Sequence, residues 1–342
     1  MKKIKDINNI ISSAPICLFG SGSMGKYVFD RINKERKDLQ IAFFIDDNKK
    51  GNFCGIPIIN FNQYLENWSS YLILITSSYH LSIENKIKDF VSEYLVADFL
   101  SQELEKKYTE INYNSTILEF YTPNQFLYEV VQGLKSIEPD TIKWISSIKG
   151  GVFYDIGASC GIYSIIAGFN NQVVSVEPDA LNFSLIKRNV FLNKNLLTLG
   201  VIPINMALGK TKELLSFNIL EFGEGFHGKF TSNSERNYGN NVYKEKVLCS
   251  DLDSLINEFN LPTPTHIKID VDGAEYQVLD GMQKTLINPT LKEILIESIA
   301  EQKFNVTAIL SKFGFKYIES HEINEITGFK VEGVQNLLFR RI

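Results

Sequence analysis

One passage constrains this chain more than any other. In FYDIGASCGIYS, residues 153–164, an apolar run stops at an acid, turns through glycines and restarts as an apolar helix. A turn of this kind brings backbone N–H groups and a helix N-terminus to the carboxyl end of a strand. Nucleotide-like ligands bind there in open α/β sheets. A similar passage, ICLFGSGSMGKYVFDRI (16–32), comes about 130 residues earlier. At 342 residues the chain is about twice a typical domain, so each turn is expected to belong to its own Rossmann-like α/β domain.

The earlier turn reads strand, Gly20-x-Gly22-x-x-Gly25, helix, and the next strand, IAFFIDD, ends in Asp46 and Asp47. The glycines let backbone approach a pyrophosphate, and Asp46 stands where a ribose-binding acid is expected. Gly20, Gly22, Gly25 and Asp46 are therefore a candidate nucleotide or nucleotide-sugar site. The competing reading is an empty Rossmann domain that serves packing alone. The following segment, FIDDNKKGNFCGIPIINFNQYL, resembles the small N-terminal domains of PglD-type sugar acyltransferases and polysaccharide-biosynthesis dehydratases. That resemblance implies a nucleotide-sugar module or a scaffold over residues 1–108, with residues 109–342 forming the second domain. Residues 101–120 read as a polar linker, and 122–151 as two helices that open the second domain.

The later turn departs from the dinucleotide pattern. It offers Asp155, Gly157, Ser159 and Gly161, with no second glycine where a pyrophosphate usually passes. The next strand, QVVSVEPD, ends at Glu177, 22 residues past Asp155, where an acid suits two ribose hydroxyls. A cofactor with adenosine and no diphosphate fits better, and S-adenosylmethionine is that cofactor. Gly157-Ala158-Ser159-Cys160-Gly161 also satisfies the G-x-S-x-G nucleophile elbow, with Asp270 and His321 as triad partners on paper. A hydrolase sheet places several strands before its elbow, and no HGGG-like oxyanion segment is present, so that reading ranks below the first.

A third strand is expected over 201–209. Then follows the glycine- and asparagine-rich NILEFGEGFHGKFTSNSERNYGNNVY, a long loop with His227 at its middle. Loops of this length usually cover a site or carry specificity. The passage THIKIDVDGAE reads as a strand ending at Asp270, an acidic turn at Asp272 and a helix carrying Glu275, and LKEILIES ends a further strand at Glu297. So many acids at one sheet edge are costly to ionise together without ligands or donors.

These stretches, with VVSVEPD, NMALGK, LDSL and the closing NLLFRRI, closely resemble the FkbM family of S-adenosylmethionine-dependent methyltransferases over about 220 residues. Asp272 stands where that family usually has Glu, and Ser159-Cys160 where Ala/Ser-Asn is common. The resemblance implies a class I methyltransferase fold, a doubly wound sheet closed by an antiparallel hairpin. It also implies O-methylation of sugars, polyketides or related hydroxyls, here placed in bacterial surface-polysaccharide biosynthesis.

Asp155, Gly157, Ser159, Gly161, Glu177 and Asp270 are then the expected cofactor residues. His227, Asp272 and Glu275 are candidate bases. His227 also reads as a solvated loop histidine, and Glu275 as a first-turn acid that favours its helix N-terminus. Asp270 and Glu297 are weak candidates for a divalent cation, with no metal the working expectation. The alternative to an enzyme is an idle nucleotide-sugar-binding scaffold of a glycan assembly system.

Net charge of −5 without a long Lys/Arg cluster argues against nucleic acid or an anionic membrane as main partner. The expected partner is a small-molecule or glycan substrate, with homo-oligomer formation open. Four scattered cysteines without CxxC spacing read as buried thiols of a reducing compartment. Asp6, Asn8 and Asn9 break any signal-peptide core, and no apolar stretch is long enough to span a membrane, so a cytoplasmic location is expected.

Overall fold

The computed structural model describes residues 2–4, 6–77, 80–97, 108–220, 223–225, 229–231, 243–299, 302–323 and 333–342. They fall into two compact units. The first gathers the described residues up to Ala97 with 124–129, and the second gathers 108–123 and those from Val130 onward.

In the first unit, strands β1 (Lys2–Ile4), β2 (Ile16–Phe19), β3 (Ile41–Ile45), β4 (Gly51–Phe53), β5 (Ile56–Ile59), β6 (Leu72–Ile75) and β7 (Tyr94–Ala97) form one sheet. Their order is β1-β7-β6-β2-β3-β5-β4, parallel throughout except where β4 meets β5. All four residues of β2 are buried because both faces are covered, as parallel sheets require. Ile16 and Leu18 join Met24, Val28 and Ile32 of helix Ser23–Glu35, while Cys17 and Phe19 join Phe61, Tyr64 and Ile87 on the other side.

Residues 108–121, expected as linker, instead form a hairpin of β8 (Tyr108–Tyr113) and β9 (Thr116–Tyr121). Asn114 and Ser115 both take positive φ, 48° and 64°, the geometry of a two-residue hairpin turn. Thr109, Tyr113, Leu118 and Phe120 bury one face. The polar residues that suggested a linker line the other.

The sheet of the second unit contains β10 (Val152–Ile156), β11 (Gln172–Val176), β12 (Val201–Ile204), and later β17 (His266–Ile269), β18 (Glu293–Ile299), β19 (Phe315–Glu322) and β20 (Val334–Arg341). Its order is β12-β11-β10-β17-β18-β20-β19. The first five are mutually parallel, and β20 runs antiparallel to both β18 and β19. This is a doubly wound sheet closed by an antiparallel hairpin, as the class I methyltransferase expectation requires. The chain winds outward from β10 through β11 to β12, then returns to β17 on the other side of β10. The strand order thus reverses between β10 and β17, the position at which open α/β sheets offer a ligand crevice at their carboxyl ends.

The expected single strand over 201–209 divides. After β12 the chain leaves the main sheet, and β13 (Ala207–Leu208) pairs with β16 (Tyr243–Ser250) in a separate sheet with β14 (Glu213–Ile219) and β15 (Lys229–Thr231). Leu215, Phe217, Ile219, Val247 and Cys249 bury one face of this sheet by strict alternation. Part of the stretch read as loop is therefore strand. No helix among the described residues is long and apolar enough to cross a membrane.

Candidate active site

The glycine turn after β10 is shaped by a close approach of backbone. Gly157 has φ +79°, and a Cβ there would lie 1.7 Å from the carbonyl oxygen of Asp270, at the end of neighbouring β17. No residue with a side chain fits. Ser159 also takes a left-handed φ of 50°, and Gly161, at φ +80°, caps the helix Ile162–Gly168. The turn is tied down on its far side by Asn189, whose Nδ2 donates to the Cys160 carbonyl at 2.8 Å.

Glu177 follows β11 and lies beside this turn. Its Oε2 accepts the backbone N–H of Ser159 at 2.9 Å and its Oε1 that of Asp179 at 2.8 Å, so two turns are joined through one carboxylate. Asp179 in turn caps the helix Ala180–Leu192 by accepting from Asn182 N at 2.8 Å. Asn205 closes the side of this corner by donating to the carbonyls of Glu177 and Pro178. The described piece of the long loop, Gly223–Gly225, reaches the same corner: Gly225 N donates to Asn182 Oδ1 at 2.7 Å. His227 itself lies outside the described residues.

Asp155 sits deeper. It is fully buried, its Oδ2 accepts from Ser164 Oγ at 2.6 Å, and its Oδ1 finds no hydrogen-bond partner among the described residues. Burial pushes its carboxyl upward, partly opposed by Lys268 and by the Ser164 hydrogen bond.

Asp270 lies at the carboxyl end of β17 and is bound by Lys268, whose Nζ donates to Oδ2 at 2.6 Å. Lys268 is itself 1% exposed and lies 4.8 Å from the Tyr163 ring centroid. Burial works against its charge, but Asp270, Glu138 and Asp155 together hold its pKa above the usual lysine value. Tyr163 is pushed far up by burial, with Glu138, Asp270 and Asp155 adding to the shift.

The sequence reading passed over Lys268, Glu138 and Tyr163. A usable signal was present, since a lone lysine in the apolar strand HIKI stands out against two buried isoleucines.

Asp272 follows in a left-handed turn with φ 51°, partly exposed. Glu275, the first residue of helix Glu275–Asp280, is buried, and its Oε1 accepts the N–H of Gly273 at 3.0 Å, in the turn before the helix. Glu297 is in β18, paired in register with Asn336 of β20. Among the described residues no group of three or more His, Cys, Asp or Glu is placed to hold a metal ion. The partners a Ser159 triad would need are both engaged elsewhere: Asp270 holds Lys268, and His321 contacts Thr141 Oγ1 at 3.4 Å.

In the first unit, the turn residues are occupied with one another. Asp46 Oδ2 accepts from Ser21 Oγ at 2.5 Å and from Ser21 N at 3.2 Å, and its Oδ1 accepts from Asn48 N at 3.0 Å. A Cβ on Gly25 would come within 2.1 Å of the Gly20 carbonyl, so the helix packs on the turn too closely for any side chain there. Gly22 precedes the helix Ser23–Glu35 without a side-chain cap.

Two regions of the chain match known protein domains. The profile of the Methyltransferase FkbM domain matches residues 155–317, and that of the PglD N-terminal domain matches residues 15–76. A search of curated protein sequences finds no significant match. Among solved structures, similarity is found to the methyltransferase FkbM from Methylobacillus flagellatus KT, at 13% identity. That alignment covers 96% of this chain and 90% of the other, with a TM-score of 0.42. The precorrin-6y C5,15-methyltransferase from Geobacter metallireducens GS-15 aligns over 59% of this chain and 85% of its own, at 13% identity and TM-score 0.36. TYW2 of M. jannaschii, solved in complex with AdoMet, aligns over 69% and 87%, at 15% identity and TM-score 0.34. Such scores leave the fold assignment resting on this chain's own strand order. On the two domain matches, the chain carries a methyltransferase domain of the FkbM family behind a PglD-type N-terminal domain.

Proposed function

We propose that the second unit transfers a methyl group from S-adenosylmethionine to a hydroxyl oxygen of a sugar or glycan precursor. The observation that carries this reading is Glu177. Two backbone N–H groups hold its carboxylate beside a glycine turn at the strand-order reversal. A carboxyl group fixed at that position offers oxygens to a pair of ribose hydroxyls. The glycine turn after β10 brings backbone to the carboxyl end of the sheet, which suits the methionine part. Asp270, at the lip of the neighbouring strand, suits its cationic end.

When bound, the sulfonium supplies an electrophilic methyl group. The chain's own contribution is to hold the acceptor oxygen close and in line, which accounts for most of the rate in such displacements. Asp272 and His227 are the groups we assign to take the hydroxyl proton. Glu275, buried and accepting from Gly273 N, ranks after them as a base. The glycan class of the acceptor is supported by the PglD-type domain on the same chain, a kind found on sugar-modifying proteins.

Calorimetric titration of the full chain with S-adenosylhomocysteine tests the cofactor assignment. Wild type should bind, and Glu177→Ala should lose on the order of a hundredfold in affinity, the scale of two hydrogen bonds to a charged acceptor. Undiminished binding by a folded Glu177→Ala chain removes the ribose assignment. Methyl-labelled cofactor offered with nucleotide-linked sugars tests the rest: the label should appear on oxygen, and label on nitrogen or carbon refutes O-methylation.

A further inference from the structure

The layer between the second unit's sheet and its covering helices is polar where an apolar core would be expected. Asp155, Ser175 and Lys268 stand in one register row across β11, β10 and β17. Ser164 Oγ bridges Asp155 and Ser175, at 2.6 and 2.8 Å. Glu138, just before the helix Pro139–Ser147, accepts from Asn336 Nδ2 of β20 at 2.7 Å and lies within electrostatic range of Lys268. Three carboxyl groups therefore surround one ammonium, and Lys268 touches the only one of the three that is not buried: the Asp270 side chain keeps 28% of its surface exposed.

A buried ion pair is weak evidence for stability, because desolvation offsets much of the attraction. Ile267 and Ile269 point to the opposite face of the sheet, where they join an apolar core, so the charge is confined to the face that carries Asp155 and Ser175. A buried lysine pointed at one partly exposed carboxylate therefore calls for a reason in the crevice.

We propose that Lys268 is a positioning residue: its buried ammonium fixes the Asp270 carboxylate at the crevice lip, where that carboxylate receives the cationic methionine end of the cofactor. The inference rests on the cofactor reading given above. Lys268 acts through Asp270 and does not itself touch the cofactor. The Tyr163 ring and Asp155 set the ammonium's position from the helix side and from β10.

The test is a double-mutant cycle on the full chain, read as S-adenosylhomocysteine affinity by calorimetry with a thermal melt of every variant. Lys268→Met and Asp270→Asn should each weaken binding by about tenfold. The double variant should be no weaker than the weaker single variant by more than about twofold, because one interaction has been removed twice. Lys268→Arg, which keeps the charge, should bind within about threefold of wild type. A purely structural lysine gives no such non-additivity and no rescue by arginine. Should Lys268→Met fail to melt cooperatively, Lys268→Gln carries the same cycle. Losses that multiply, or a folded Lys268 variant that binds as wild type does, overturn the positioning role alone. A wild-type chain that does not bind S-adenosylhomocysteine overturns this role together with the cofactor reading.

Discussion

At the scale of single residues, the crevice depends on positions where a side chain is excluded as much as on those where one is needed. Gly157 is the sharpest case, since its backbone sits under the Asp270 carbonyl and its φ is in the left-handed region. Gly157→Ala combines strain with a backbone clash and should cost on the order of 3 kcal/mol, read from urea unfolding. A loss below about 0.5 kcal/mol, within the range of ordinary surface changes, contradicts this local geometry. This glycine could be picked out from the sequence, because acid-x-Gly after an apolar run announces a tight strand-to-helix turn. The partnership of Glu177 with Ser159 N and Asp179 N could not. Acids at strand ends are visible in a string of letters, but what their oxygens accept depends on the path of two turns that only folding brings together. For the same reason the partners of Asp46, Ser21 and Asn48, could not be read from the sequence.

At the scale of elements, caps decide where helices begin and end. Asp251 accepts from Ser254 N at 2.8 Å to start the helix Leu252–Phe259, and Asn260 ends it in a left-handed conformation at φ 51°. Asparagine tolerates that region better than most residues, but glycine carries no Cβ penalty there. Asn260→Gly should therefore stabilise the chain by up to about 1 kcal/mol, seen as a higher denaturant midpoint at unchanged slope. A lowered midpoint would show that the asparagine side chain makes a contact worth more than the relief of strain. Periodicity found β2 and β3 of the first sheet and the five parallel strands of the second because each is a short apolar run between turn residues. It missed β8 with β9 and β14 with β16, whose alternating faces put polar residues on every second position. Amphipathic strands diluted with Lys, Glu and Asn look like loops until their partner strand is known.

At the scale of the whole molecule, stability depends on pH through the edge of the sheet opposite the crevice. His266 opens β17 and contacts Thr265 Oγ1 through Nδ1 at 2.8 Å. Burial pulls its pKa from the usual 6.5 to about 4, against a partial opposing pull from Glu293. The folded chain thus refuses a proton that the unfolded chain accepts below pH 6.5. Stabilisation from the neutral ring is complete above that value and is lost as pH falls toward 4. Urea unfolding at a series of pH values should show this decline in wild type and a flatter profile in His266→Gln. Equal slopes in the two chains would mean that His266 titrates normally.

The doubly wound order could be anticipated at this scale, since strands alternating with helices leave few right-handed arrangements. The interleaving of β20 between β18 and β19 has a consequence for how the chain reaches this state. β19 emerges first, yet it has no seat until β20 has zipped along β18. Until then β18 presents a bare ladder of amide and carbonyl groups, and a β20 segment donated by a second chain pairs with it as readily as the chain's own. Refolding yield should accordingly fall as protein concentration rises, with exchanged dimers as the by-product.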